Sequence, residues 1–341
     1  MAPMDCPGRR RLLALAALGL LLPLTACSDD QPASPDTQLG DQVSGRVDDL
    51  ATGEATAVIT PAGRLSVSFA DPVTRLDKDR TTDLTARRAP EGGSFVPVVW
   101  SFQDDKIFGE VTRLFGDRRP LEVDLVTGGK HYSLTPPDPG TGRTAAYVAV
   151  KGQGDDVSLE VTYDGATQTL DAETGKLDKG VAAGLYDLPK SKIRIEDCPT
   201  KEWFTQALIY QQYECRYTTA VPSPYAVNKW AEKGHTWLAV NVVTNLALYA
   251  TGELDGAIAS YDVVGNKELS TIGGKKPRET LNERVNEGAA SGSLVFDISG
   301  KLPTTMQILR EYQLNLNGAA GDIDAPQKRT AKVGGEIELV Y

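Results

Sequence analysis

Histidine is nearly missing from this chain: 341 residues contain 2, alongside 3 Met, 4 Cys and 7% aromatics. Each scarcity excludes a class of chemistry. His131 and His235 stand far apart in sequence and form no spaced metal motif such as H-E-x-x-H. Nucleophilic catalysis needs a nucleophile, a base and an orienting group, and no G-x-S-x-G accompanies either histidine. Both read as edge or loop residues. The 36 Lys and Arg face 46 Asp and Glu, a formal net charge of −10, which excludes a nucleic-acid surface. Rossmann and phosphate-loop glycine patterns are absent. So is the EF-hand spacing, and Asp104-Asp105, Asp155-Asp156 and Asp322-Ile323-Asp324 read as solvated turn carboxylates. The expectation is no catalytic residue, no metal and no cofactor. Glycosidase chemistry needs only two carboxylates, and no pair is marked out for it.

Long apolar runs are also missing, except at the start. Arg9 to Arg11 precede the run Leu12 to Leu24, which is shorter than the roughly 20 residues of a membrane-spanning helix. A positive region followed by such a run is an export signal. It closes on Leu24-Thr25-Ala26-Cys27, which resembles the lipobox of bacterial lipoproteins. That resemblance implies residues 1–26 as a signal peptide and a diacylglyceryl group on Cys27. It also implies a place on the extracytoplasmic face of the cell membrane. Two or more acyl chains anchor stably where one is marginal. Cys6 leaves with the signal and Cys27 takes lipid. Cys198 and Cys215, 17 positions apart, are left as a disulfide in an oxidising compartment. Closing that loop stabilises by about 3 kcal/mol.

What the chain has in quantity is turn residues, 33 Gly and 20 Pro. Residues 27–45 are polar and rich in Pro, Ser and Asp; they read as a disordered tether. Fully extended, a segment of that length reaches roughly 50–60 Å. Beyond it, short alternating stretches predict strands. These are Gly63 to Ala70, Leu121 to Val126, His131 to Leu134 and Val157 to Tyr163, with the more apolar Val96 to Phe102 as a central strand. Asp164-Gly165 and Gly128-Gly129 predict hairpin turns. Gly265-Asn266 and Asn317-Gly318 repeat the device. Helical signals are confined to Pro199 to Tyr213 and Glu279 to Glu287. The fold class is all-β: two β-sandwich domains at 46–180 and 190–341, separated in a Gly/Lys/Asp-rich stretch.

The second half resembles the immunoglobulin-like domain of unknown function found in surface lipoproteins of Gram-positive bacteria. Three segments carry the likeness: Trp237 to Asn245, Tyr261 to Asn266 and Gly292 to Ile298. That family has no established catalytic residues, so the resemblance transfers none. Trp100 and Trp237 read as core; Trp203 and Trp230 are either core or partner-facing. The function expected is non-catalytic binding in the cell envelope, with an envelope protein, a glycan or a small ligand as partner. The alternatives are solute capture for a transporter and a carboxylate-based envelope hydrolase.

Overall fold

The computed structural model describes residues 37–50, 53–188, 192–203 and 209–341. The signal, Cys6 and Cys27 lie outside them. The protein is all-β, with antiparallel sheets in two units.

The N-terminal unit is a sandwich of two five-stranded sheets. The first runs β1 (Gln42–Gly45), β9 (Thr144–Lys151), β6 (Gly93–Asp104), β3 (Gly63–Phe69), β2 (Thr56–Thr60). The second runs β12 (Leu177–Asp178), β11 (Ala166–Asp171), β10 (Ser158–Tyr163), β7 (Leu121–Thr127), β8 (Lys130–Leu134). The first sheet is buried on both faces. Val96, Val98, Val148 and Val150 meet the second sheet. Phe95, Tyr147 and Ala149 meet a covering segment through Val73 and Leu76, where β4 (Arg75–Leu76) pairs with β5 (Arg87–Arg88). Double burial explains why Phe95 to Trp100 reads as an unbroken apolar run. The second sheet alternates instead: Val123, Leu125, Leu159 and Val161 point in, and its other face is open.

Side chains close both seams of this sandwich. At one, Tyr186 Oη donates to Gln168 Oε1 (2.6 Å), Gln168 Nε2 donates to the Ile59 carbonyl (2.8 Å), and Ile59 N–H donates to Tyr186 Oη (3.1 Å). The open edge of β2 is thereby occupied. At the other, Lys151 N–H donates to Tyr132 Oη (2.9 Å) and Thr135 N–H to Gln42 Oε1 (3.2 Å).

The C-terminal unit is one nine-stranded sheet folded over itself. Its path is β13 (Ile195–Asp197), β14 (Ile209–Thr218), β18 (His235–Gly252), β19 (Ile258–Glu268), β22 (Thr305–Ala320), β23 (Lys328–Glu338). β15 (Val221–Ser223) and β21 (Ala289–Ser299) also pair with β18, and β20 (Glu279–Val285) pairs with β21. Leu238, Val240 and Phe296 from one layer pack on Ile308, Tyr312 and Val333 from the other. The layers are stitched where Ala220 N–H donates to the Val340 carbonyl (2.7 Å).

The units share one core. Val221, Tyr225, Trp237 and Val295 join Phe108, Phe115 and Tyr163 in a single cluster. Tyr225, in the two-strand ladder β16 (Tyr225–Ala226) with β17 (Lys229–Trp230), is fully buried. Its hydroxyl donates to Asp164 Oδ2 (2.9 Å), and Trp230 Nε1 donates to the Tyr163 carbonyl (2.9 Å). The turn expected at Asp164-Gly165 is present, with φ of 47° and 78°, and it plugs the second unit.

Four expectations are corrected. The tether ends earlier than residue 45, because β1 pairs with β9 and Val43 is buried. Gly265-Asn266 is no hairpin but an irregularity inside β19, where β22 supplies a partner along the whole strand. Asn317-Gly318 lies within β22 for the same reason. Glu279 to Val285 is a strand, since β21 offers its ladder there. Within Pro199 to Tyr213 the described residues hold one helical turn, α1 (Thr200–Trp203), and the start of β14.

Two outcomes follow from the seams and the buried phenols. Gln168→Ala strands Tyr186 Oη and the Ile59 carbonyl, and should cost about 2 kcal/mol or more in denaturant unfolding. An unchanged midpoint would show the seam to be dispensable. Burial pushes the Tyr186 phenol up to about 12, against the hydrogen bond from Ile59, and burial also raises Tyr213, Tyr225 and Tyr312. Unfolded phenols ionise near 10. Stability is therefore intact below about pH 10 and is lost as pH rises toward the folded values. Phenolate absorbance should rise in two waves, the second with unfolding; one wave with the near-ultraviolet dichroism retained would contradict this.

Candidate functional site

Both histidines sit on strands and both meet carboxylates. His131, on the edge strand β8, places Nδ1 3.7 Å from Glu160 Oε2 and 4.0 Å from Asp124 Oδ2. Asp124 and Glu160 are direct cross-strand partners. They lie on the open outer face of the second sheet. His235 opens β18, and its Nδ1 lies 2.6 Å from Asp297 Oδ1 on β21. Nothing in the sequence links those two, which are 62 positions apart and are joined by the β18–β21 ladder. Among the described residues no three His, Cys, Asp or Glu side chains are placed to hold a metal ion.

The paired aspartates do local work. Asp104 accepts from Lys106 N–H (3.3 Å) and pairs with its ammonium (2.9 Å), and the Lys106 contact lowers its carboxyl below the usual range. Asp156 accepts from Thr127 Oγ1 (2.7 Å) and Gly128 N–H (3.0 Å), fixing the β7–β8 turn. Those bonds lower its carboxyl, the Thr127 hydroxyl most. Asp322 and Asp324 are exposed.

A charged group that sequence reading passed over is Arg310, 2% exposed in the second core. It pairs with Glu268 (2.8 Å) and donates to Asn266 Oδ1 (2.6 Å). Glu268 and Arg310 are direct cross-strand partners, so the pair spans the β19–β22 ladder.

All four tryptophans are placed. Trp100 and Trp237 are buried. Trp230 is spent on the contact between units. Trp203, closing α1, lies against Gly335 of β23: a Cβ at Gly335 would overlap the indole. Gly334, at φ 151°, lets the backbone pass the Ile308 carbonyl in the same notch.

One edge of the C-terminal sheet, at β13, is open among the described residues. Cys198 and Cys215 form the expected disulfide, with Cα atoms 5.3 Å apart, and it ties the end of β13 to β14. Cys198 N–H donates to the Cys215 carbonyl (3.0 Å) and Thr219 N–H to the Arg194 carbonyl (2.9 Å). Residues 194, 196 and 198 thus turn their backbone groups toward β14. By the alternation of an antiparallel ladder, Ile193, Ile195 and Asp197 turn theirs to solvent. Ile193 is 36% and Ile195 69% exposed. Past Cys198 the chain leaves the ladder at Pro199, which has no N–H to donate. A cleft of about 620 Å³ follows, lined by Asp197, Thr200, Tyr213, Glu214 and Arg216 beside the disulfide. The signal for this edge is the alternation Ile193-Arg194-Ile195-Glu196, which lies at the expected boundary between domains.

No protein-family model, curated protein or solved structure matches this chain.

Gly335→Val should push Trp203 out of its notch and lower stability by about 1–3 kcal/mol, read from the thermal midpoint and a red-shifted indole emission. An unshifted spectrum would mean that the notch does not hold the indole.

Proposed function

We propose that this protein is a lipid-anchored extracytoplasmic interaction module that engages a protein partner by strand addition at the β13 edge, without catalysis. The observation that carries the reading is that edge. It presents backbone groups unpaired among the described residues and two exposed isoleucines beside a cleft. Exposed strand edges are templates for pairing with another chain. The export pattern ending at Cys27 supports the location, and the Cys198–Cys215 disulfide suits an oxidising compartment. The immunoglobulin-like resemblance of Trp237 to Ile298 agrees with a surface lipoprotein. A core shared between the units supports a rigid presentation of the edge.

Two experiments test the two halves of the proposal. Cys27→Ala should move the protein out of the membrane fraction; retention there removes the anchor. A photo-crosslinking residue placed at Ile193 or Ile195 in intact cells should form a discrete protein adduct. The same residue at Thr167, on the open face of the N-terminal unit, should form none. No adduct at the edge, or equal adducts at all three positions, overturns strand addition.

A further inference from the structure

Resting on that strand-addition reading, we infer that the partner at this edge is a second copy of the same chain, joined β13 to β13 about a two-fold axis through Ile195. The sequence Lys192-Ile193-Arg194-Ile195-Glu196-Asp197 carries positive charge before its centre and negative charge after it. Two copies running antiparallel therefore attract along their length. The backbone fixes which register is possible. Only residues 193, 195 and 197 face outward, so a hydrogen-bonded pair must form among them.

Centring the pair on Ile195 gives each outward position a backbone partner. Ile195 faces Ile195 of the partner subunit, covering the most exposed apolar side chain of the segment. Ile193 faces Asp197 of the partner subunit. On the opposite side of the ribbon, Arg194 faces Glu196 of the partner subunit, and the reciprocal pair repeats by symmetry. Within one chain Arg194 and Glu196 are 4.0 Å apart and 61% and 40% exposed, so both are free to re-pair. Such self-complementarity is what a two-fold interface requires.

The edges β2 and β23 are less suited. β2 is occupied by Tyr186 and Gln168. β23 is covered at Gly335 by Trp203 and stitched near its end to Ala220. The β13 ladder would supply about six backbone hydrogen bonds over less area than the roughly 1,600 Å² of a standard interface. The pairing is accordingly weak in free solution, and membrane anchoring would raise its effective concentration.

Disulfide trapping reads the register directly, in a Cys6→Ser, Cys27→Ser background that leaves only the native bridge. In the proposed pair the two Cα atoms at position 195 lie about 5.5 Å apart, inside the range of roughly 4.4–6.8 Å for a disulfide. The two at position 193 lie about 13 Å apart. Under mild oxidation the Ile195→Cys chain should dimerise at least about tenfold faster than the Ile193→Cys chain. Mixing Ile193→Cys with Asp197→Cys chains should give the cross-linked pair. In the Ile195→Cys chain, Arg194→Glu or Glu196→Arg should each slow trapping about tenfold, and the two together should restore it. Equal trapping at 193 and 195, or no restoration by the double exchange, overturns the homotypic pair. If it fails while the probe at Ile195 still captures another envelope protein on cells, strand addition stands with a different partner. If both fail, the edge is not a binding site.

Discussion

β18 is buried on both faces over residues 237–240, and much of the molecule is arranged to satisfy that stretch. Leu238, Val240 and Val242 lie in the core of the C-terminal unit, whereas Trp237 and Ala239 lie in the core shared with the N-terminal unit. Its backbone is claimed by β14, β15, β19 and β21 along different stretches. A strand apolar on both sides is stable only between two layers. The N-terminal unit supplies one of them, so the two units form a single packed body. The polar contacts at that junction, Tyr225 to Asp164 and Trp230 to the Tyr163 carbonyl, satisfy groups that the shared core removes from water.

From β18 the organisation runs outward to the candidate site. β14 lies along β18, β13 lies along β14, and the disulfide fixes the end of β13. Along this path the backbone demand is passed from strand to strand until it reaches β13, which has no further strand partner among the described residues. At β2 the same demand is met by Gln168 and Tyr186. At β23 it is met in part by α1 and the Ala220 stitch. The charges around Ile195 do not shield the edge as a run of lysines would. They are split by sign, a pattern that an antiparallel copy of the same sequence would complement.

The legible parts of the fold were those set by neighbours in sequence. The Asp164-Gly165 and Gly128-Gly129 turns could be read because positive φ is a local requirement. The disulfide was the one pairing left once Cys6 and Cys27 were assigned elsewhere. The errors had the opposite character. Gly265-Asn266 and Asn317-Gly318 have the composition of turns, yet both stay extended because β19 and β22 pair along their length. His235 with Asp297, and Arg310 with Glu268, are brought together across ladders and left no local trace. The edge at Ile193 to Asp197 alternates over too few residues to mark a strand by itself, and it lies beside the expected boundary between domains.

By itself, the sequence determined the secondary-structure class, the places where the chain reverses and the chemistry it lacks. Each depends on backbone preference, side-chain period or composition, which act over a few residues. Tertiary structure alone decided which strands share a sheet, which carboxylates meet the histidines and which tryptophan is spent between the units. It also decided that β13 is an edge left open. Openness is a property of what the rest of the chain fails to cover, and no local stretch of sequence encodes it.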